Sequence, residues 1–518
     1  MGRRKRYAAI DVGSHEIRLY IAELPERSLP QVVEKVRRTL SLGSDTYSSG
    51  AISQSLASEC ISILSGFTEK FSEYNIQRVH AVATSAFREA ENSTFVIDQI
   101  HRHTGISVQV LTNAEEKYFH TIALAELMPE FEELIRQGTM IVDIGSGSVQ
   151  ATAYDRGDFL FSQNMLLGSL RIRELLADLQ RLTSDYAALL EEYISSDLDN
   201  YRSLEPKNMS YKHMVILCGD LPYIARMATA LMPNKPVKNY LGKEAFELVY
   251  QRLLTDQPLG LTIDFDIPAE NATLLLPTAM IIRKLFKFTG ASGFHMPAIS
   301  LSDGLLIDMA MRQADYRPKY DQTRDIISDC QQVANRFRID PKHTEYVEKA
   351  ALTIFDATTK LHRLGSRSRL LLQLAAILHD SGKYINMSRH DIRSYNIIMS
   401  LELIGLSAEE RRIAAFTARF HSGYRDLVTD SLFMALAEPE RLQISKLAAI
   451  LQLANALDTG HQQKIKDIEI QISAQTMTLV VSSSRDIMLE QWSLARSGQL
   501  FHTVFGLKPG IRIRRRHY

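Results

Sequence analysis

Apolar positions in the first part of the chain fall into short runs of strand length separated by turns. Tyr7–Ile10, Ile17–Leu24 and Val32–Leu40 follow one another, with a tight Gly13-Ser14 turn after the first, which predicts a three-stranded meander. The period then changes: Ile52, Leu56, Cys60, Ile63 and Phe67 recur at three and four, predicting a helix to about Glu73 that covers one face of the sheet. Strands are expected at Arg78–Thr84 and Ser107–Leu111, with a helix at Phe95–His103 between them and another opening at Asn113-Ala114-Glu115-Glu116. After Gly138 the layout restarts, with strands at Met140–Ile144, Val149–Tyr154, Phe159–Asn164 and Met214–Leu217, a helix after Gly168, and a strand-turn-helix near Ile299–Leu305. From about Tyr316 the pattern is helical, and a tail unit begins near Ile468 with strands Ile468–Ser473 and Met477–Val481. The charged segment Asp315–Asp325, with Pro318, suits a linker.

The chain is organised around Met140-Ile141-Val142-Asp143-Ile144-Gly145-Ser146-Gly147-Ser148, where an apolar run ends at a carboxylate and turns into glycine and serine. Such a strand delivers an acid into a loop whose backbone N–H groups can face an anion. Tyr7-Ala8-Ala9-Ile10-Asp11-Val12-Gly13-Ser14 does the same earlier, so the pair predicts two related half-sites across a cleft. One such turn alone is a common structural loop; two are more telling.

With 518 residues and 45% hydrophobic content, the chain can bury several domains' worth of core. Sixty basic residues balance sixty acidic ones, which removes any global case for nucleic acid and leaves a polyanion only a local patch. Three distant cysteines, Cys60, Cys218 and Cys330, argue for a reducing, cytoplasmic setting. The basic start Met1–Arg6 opens no signal-peptide core, and no apolar run is long enough to span a membrane. The terminal Arg512-Ile513-Arg514-Arg515-Arg516 reads as a solvated end or as the side of a polyanion path.

Thr84, Ser85, Arg88 and Glu116 lie just past strand C-terminal ends, where open α/β sheets bind ligands. An Arg there can fork onto a phosphate, and a Glu can hold a water. Each also fits a plainer role, as a solvated side chain or a complement to the helix dipole. In the helical half, His343, the doublet His379-Asp380 and Asp458 have the spacing of side chains that converge on a divalent metal, with His390 and His421 nearby and Gly382-Lys383 after the doublet.

Read together, Ala8–Ser14, Ala83–Ala90 around Thr84-Ser85-Ala86-Phe87-Arg88, Glu115-Glu116, Val142–Ser148, Leu167-Gly168-Ser169 and Leu301-Ser302-Asp303-Gly304-Leu305 resemble the exopolyphosphatase and guanosine pentaphosphate phosphohydrolase (Ppx/GppA) family. The resemblance implies an α/β fold of two actin-like, sugar-kinase-like lobes, 1–125 and 126–312, then an all-α HD-type domain at 316–467 and a small α/β unit at 468–518. It implies hydrolysis of the terminal phosphoanhydride of inorganic polyphosphate, or of the 5′ phosphate of guanosine pentaphosphate, in a homodimer without nucleic-acid or membrane partners. Glu116 would be the general base and Arg88 would grip the terminal phosphate. Asp143, Asp11 and Gln150 would hold magnesium. Gly13, Ser14, His15, Ser85, Gly145, Ser146, Gly147 and Ser148 would cradle the phosphate.

The chain departs from the family pattern at His15, where Asn is usual, at Gln150, where Glu is usual, and at Cys218-Gly219-Asp220, where Gly-Gly-Thr is usual. Gln150 removes a charge from a magnesium site, and His15 beside a polyanion would tend to be protonated. These changes keep open a non-catalytic phosphate or alarmone sensor. Asn455 stands where an Asp commonly completes an HD metal set, so the possible second site of His343, His379, Asp380 and Asp458 reads either as a metal centre or as a scaffold.

Overall fold

The computed structural model describes residues 6–180, 182–183, 185–205, 209–233, 237–422 and 427–514; the basic residues Met1–Lys5 and Arg515-Arg516 lie outside them. The chain divides into two compact units, Met1–Gln322 and Thr323–Tyr518.

Unit 1 is built on two sheets. In the first, β1 (Arg6–Val12), β2 (Glu16–Glu23), β3 (Gln31–Thr39), β4 (Ile76–Ala83) and β5 (Val108–Val110) take the order β3-β2-β1-β4-β5. β1 to β3 form the antiparallel meander, and β1, β4 and β5 run parallel. β1 is central because Ala8, Ala9, Ile10 and Val12 are all buried, which only a strand covered on both faces allows. The helix Gln54–Tyr74 starts where Ser53 Oγ accepts the Leu56 N–H and ends at Asn75 in the left-handed region. Its buried side chains, Ala57, Cys60, Leu64 and Phe67, follow the expected three-and-four spacing and pack into the core with Ile10, Ala81 and Ala83.

The second sheet repeats the plan with β6 (Thr139–Ile144), β7 (Val149–Asp155), β8 (Asp158–Met165), β9 (His213–Cys218), β10 (Tyr240–Gly242) and β11 (Gly293–His295), ordered β10-β11-β9-β6-β7-β8. The register sets Asp143 opposite Gln150. The strand expected at Ile299 is instead Gly293–His295, because Pro297 has no N–H to continue a ladder. Ile299-Ser300 leads into the helix Leu301–Gln313, where Asp303 Oδ2 accepts from Ser300 N at 2.8 Å and Ser300 Oγ at 2.7 Å. That helix covers the other face of the first sheet beside the helix Asn113–Leu127, and Leu301, Leu305 and Met309 join Tyr7, Ala9 and Phe119. Gly304 is required there, since a Cβ would strike the Phe119 backbone. The segment read as a linker is tied to this unit: Lys319 N donates to Glu126 Oε1 at 2.6 Å and Tyr316 Oη donates to Glu126 Oε2.

Unit 2 begins with helices Thr323–Arg336, Pro341–Ala357, Ser366–Leu378, His390–Ser400, Ala408–Arg419 and Glu438–Ala456. It ends in a small sheet of β12 (Asp467–Ile472), β13 (Thr476–Ser482) and β14 (Lys508–Ile513), with β13 central and the helix Met488–Phe505 as the crossover to the parallel β14. The described part of the arginine-rich tail is therefore an edge strand whose Arg512 Nη2 donates to Gln471 Oε1 at 2.7 Å; charged residues on an edge deter further pairing. The cysteines are free, and no helix among the described residues is long and apolar enough to cross a membrane.

Candidate active site

Each strand-Asp turn closes the same way. Gly13 N donates to Glu16 O at 2.9 Å, and Gly145 N donates to Ser148 O at 2.9 Å. The two glycine amides are thus used inside their own turns. Asp11 and Asp143, next to last in β1 and β6, line one cleft with Gly13, Ser14, His15, Gly145, Ser146, Ser148, Gln150 and Glu116.

Glu115 and Glu116 separate by capping. Glu115 Oε2 accepts from Thr112 N at 2.8 Å and closes a capping box, while Glu116 turns into the cleft. Burial pushes the Glu116 carboxyl up to about 7 against the opposing pull of Arg88. Arg88 does not line the cleft: its Nη1 donates to Glu116 Oε2 at 2.8 Å and to Leu111 O at 2.7 Å. One turn after Glu116, His120 Nδ1 lies 2.8 Å from Asp143 Oδ2, an ion-pair contact rather than an aligned hydrogen bond. Burial works against its charge, but Asp143, Glu116 and Asp11 outweigh burial and raise its pKa.

Asp11 Oδ1 is buried without a hydrogen-bond partner, and burial raises this carboxyl to about 6 although Arg18 stands opposite it in register. Glu16 pairs with both Arg18 and Arg37. Asp220 accepts from Thr278 Oγ1 at 3.1 Å and from Asn271 Nδ2 at 3.4 Å, and burial raises it to about 6. His15 lines the cleft beside Ser14. Burial lowers its pKa against the pull of Glu16 and Glu270, while Nδ1 meets Ser41 Oγ at 2.9 Å and Nε2 is buried without a partner.

The serines hold the loops together. Ser14 Oγ lies 2.8 Å from both Tyr47 Oη and Ser85 Oγ and accepts from Ala86 N at 3.1 Å. Gly147, also outside the cleft lining, packs against Tyr47 and Ser85, and its carbonyl accepts from Arg171 Nε at 2.6 Å. Arg171 Nη2 then donates to both oxygens of Glu89, at 2.5 and 2.6 Å. Ser146 O accepts from Leu170 N and Arg171 N, so the turn at Gly168 presses on the second loop, and a Cβ there would overlap Ser146 and Gly147 backbone. Gly168→Ala is expected to lower stability by about 1–3 kcal/mol and to lower the turnover number, checked by thermal melting beside an activity assay; unchanged values in both would remove Gly168 from this role.

A divalent cation fits this donor set: a hard cation prefers oxygen, Asp11 offers an orphaned buried oxygen, and Asp143 and Gln150 face each other across β6 and β7. Gln150 Nε2 donates to Asn113 O at 3.1 Å, which leaves its Oε1 as the metal-compatible atom.

The three raised carboxyls carry a pH signature. Asp11 and Asp220 at about 6 and Glu116 at about 7 make the folded state hold more protons than the unfolded chain. Their contribution to stability is complete below about pH 4 and is lost as pH rises through about 6 to 7. Buried histidines with lowered pKa, His379 among them, titrate the opposite way over the same range, so the test is differential: chelator-treated Asp220→Asn should lose less melting temperature, or gain more, between pH 6 and pH 8 than the parent protein. Equal changes in the two proteins would contradict this electrostatic picture.

Sequence reading missed His120, Glu16, Arg18 and Arg37 as cleft residues. Helical spacing puts His120 on the face of Glu116, and alternation on β2 puts Glu16 and Arg18 on one side. In unit 2 three of the four expected metal ligands bring donor atoms together, with His343 Nε2 and His379 Nε2 at 3.8 and 3.6 Å from Asp380 Oδ2, whereas Asp458 Oδ2 lies 2.9 Å from the other ring nitrogen, His343 Nδ1.

Residues 20–313 match the Ppx/GppA phosphatase family. The chain belongs to that family. Residues 327–498 match domain III of the same Ppx/GppA phosphatases. A guanosine-5′-triphosphate,3′-diphosphate pyrophosphatase from Photobacterium profundum is 21% identical over 458 residues, covering 86% of each chain. An exopolyphosphatase from Cytophaga hutchinsonii superposes with a TM-score of 0.51 at 19% identity, over 60% of this chain and 98% of its own. An exopolyphosphatase-like protein gives 0.52 at 19% identity over the same shares. The fold is the one expected, two actin-like α/β lobes followed by a helical region and a small α/β unit.

Proposed function

We propose that the cleft of this Ppx/GppA phosphatase hydrolyses the terminal phosphoanhydride of inorganic polyphosphate and releases orthophosphate. The observation that carries the reading is Glu116, a buried carboxyl with a pKa near 7 in the same cleft as Asp11 and Asp143. A base is most effective when its pKa lies near the working pH. In the reaction, a water oxygen bonds to the terminal phosphorus, Glu116 takes the water's proton, and the bond to the bridging oxygen breaks, leaving the shortened chain with that oxygen. Asp11, Asp143 and Gln150 would hold a divalent cation, magnesium on the preference of their oxygens, which supplies neutralising charge to the phosphate. His120 orients Asp143. His15 Nε2 and the amides of Ser14, Ser146 and Ser148 are the donors we assign to the phosphate oxygens, and Arg88 sets the orientation of Glu116.

Polyphosphate is preferred over a nucleotide because, among the described residues, the cleft lining contains no phenylalanine, tyrosine or tryptophan on which a purine could stack. The similarity to the Photobacterium profundum pyrophosphatase favours a second reading, removal of the 5′ phosphate of guanosine pentaphosphate. A panel of long polyphosphate, tripolyphosphate, guanosine pentaphosphate and ATP, assayed for orthophosphate with magnesium, separates the two. Fastest release from long polyphosphate supports the first reading, and fastest release from guanosine pentaphosphate replaces it with the second. Tight binding without release from any of them would instead identify a phosphate or alarmone sensor.

A further inference from the structure

Four histidines in unit 2 converge on a single carboxylate. His343 lies in the first turns of Pro341–Ala357, His379-Asp380 ends Ser366–Leu378, His390 opens His390–Ser400, and His421 follows Ala408–Arg419. Each ring has its Nδ1 beside a group that can only accept. His379 Nδ1 is 2.7 Å from Ala376 O, His421 Nδ1 is 2.6 Å from Ala418 O, His390 Nδ1 is 3.2 Å from Met387 O, and His343 Nδ1 is 2.9 Å from Asp458 Oδ2. A neutral imidazole so held carries its proton on Nδ1 and presents a lone pair at Nε2.

Those Nε2 atoms divide evenly between the oxygens of Asp380. His343 and His379 stand 3.8 and 3.6 Å from Oδ2, and His390 and His421 each stand 3.6 Å from Oδ1, with 3.2 Å between their own Nε2 atoms. These are acceptors facing an acceptor. The Nε2 atoms of His343 and His379 are buried without a hydrogen-bond partner, and Lys383 Nζ, 2.6 Å from Asp380 Oδ2, answers the carboxylate but not the imidazoles. Donors around a tetrahedral ion with bonds of about 2.0–2.1 Å sit about 3.3 Å apart. The spacings given above run from 3.2 to 3.8 Å, and within each group all donor atoms lie within 4.8 Å of one another, so a small inward shift completes either set.

We infer that unit 2 carries a two-ion transition-metal centre, with one ion on His343, His379 and Asp380 Oδ2, the other on His390, His421 and Asp380 Oδ1, and Asp380 as the bridge. Asp458 is then a positioning residue rather than the ligand expected from the sequence. Its Oδ2 accepts from His343 and from Gln463 Nε2 at 2.8 Å, and its Oδ1 accepts from Gln463 N at 2.7 Å. Imidazole-rich sites select zinc, iron, cobalt or nickel over magnesium. Three protein donors per ion leave a coordination position open, so the pair suits a phosphate oxyanion or water. All of its donors come from unit 2.

The test is cobalt retention by the full-length protein carrying Asp143→Asn, so that the unit 1 cleft contributes little. After chelation, dialysis against Co²⁺ and removal of free ion, elemental analysis should find two equivalents per chain. His390→Gln, at a side chain 20% exposed and so tolerant of change, should retain one equivalent with an unchanged melting profile. Asp380→Ala should retain none. Two equivalents in His390→Gln, or fewer than two in the parent, would overturn the bridged pair.

Discussion

Glu116→Gln is expected to lower the turnover number for orthophosphate release by about a hundredfold to ten-thousandfold, the usual worth of general-base assistance, with little change in KM. The substitution keeps the side chain's shape, and Gln Oε1 can still accept the hydrogen bond that Arg88 Nη1 now gives to Glu116 Oε2 at 2.8 Å. What disappears is the carboxylate that removes a proton from the attacking water. Because water is positioned by that group only on the way to the transition state, the loss should fall on kcat. Steady-state kinetics on the best substrate of the panel checks this. Equal turnover numbers for the two proteins would leave the cleft without a base.

Asp143→Asn should cost about a thousandfold or more in turnover, since charge neutralisation by a bound cation is worth several kcal/mol in phosphoryl transfer. The amide removes the formal charge while its oxygen can still meet His120, so the fold is retained. Gln150, opposite Asp143 in the sheet, is already neutral, and this leaves Asp11 as the remaining carboxylate assigned to the cation. Magnesium titration by calorimetry should show binding in the parent protein and none at millimolar concentration in Asp143→Asn. Parent-like magnesium binding by the variant would move the cation to other residues.

The parts of this site that depend on local chain geometry were legible in the sequence. Asp11 and Asp143 each sit at the end of an apolar run followed by Gly-Ser, and a strand leading into a turn has few other ways to dispose a carboxylate. The choice between Glu115 and Glu116 was harder, because the residues are adjacent and only the Thr112 capping box shows which one is used by the helix end. His120 was not legible, since its partner Asp143 comes from the other sheet and no local pattern announces the pairing. Arg88 is expected on a phosphate because arginine at that place can reach one; in the structure its Nη1 donates to the Leu111 carbonyl and to Glu116, a pairing that no local pattern announces. β14 escaped notice because its arginines mask an alternation in which Ile511 and Ile513 carry the ladder beside β13. In unit 2, the spacing of His379-Asp380 suggested a metal, but the division of four imidazoles between two carboxylate oxygens is a property of helix packing.

The measurement that bears most directly on the central claim is turnover in water enriched in oxygen-18, followed by mass spectrometry of both products. Attack on the terminal phosphorus in the unit 1 cleft predicts one labelled oxygen in the released orthophosphate, an unlabelled shortened chain, and a near-complete loss of labelled product with Glu116→Gln. Label in the shortened chain, or the same labelled yield from Glu116→Gln, would contradict it.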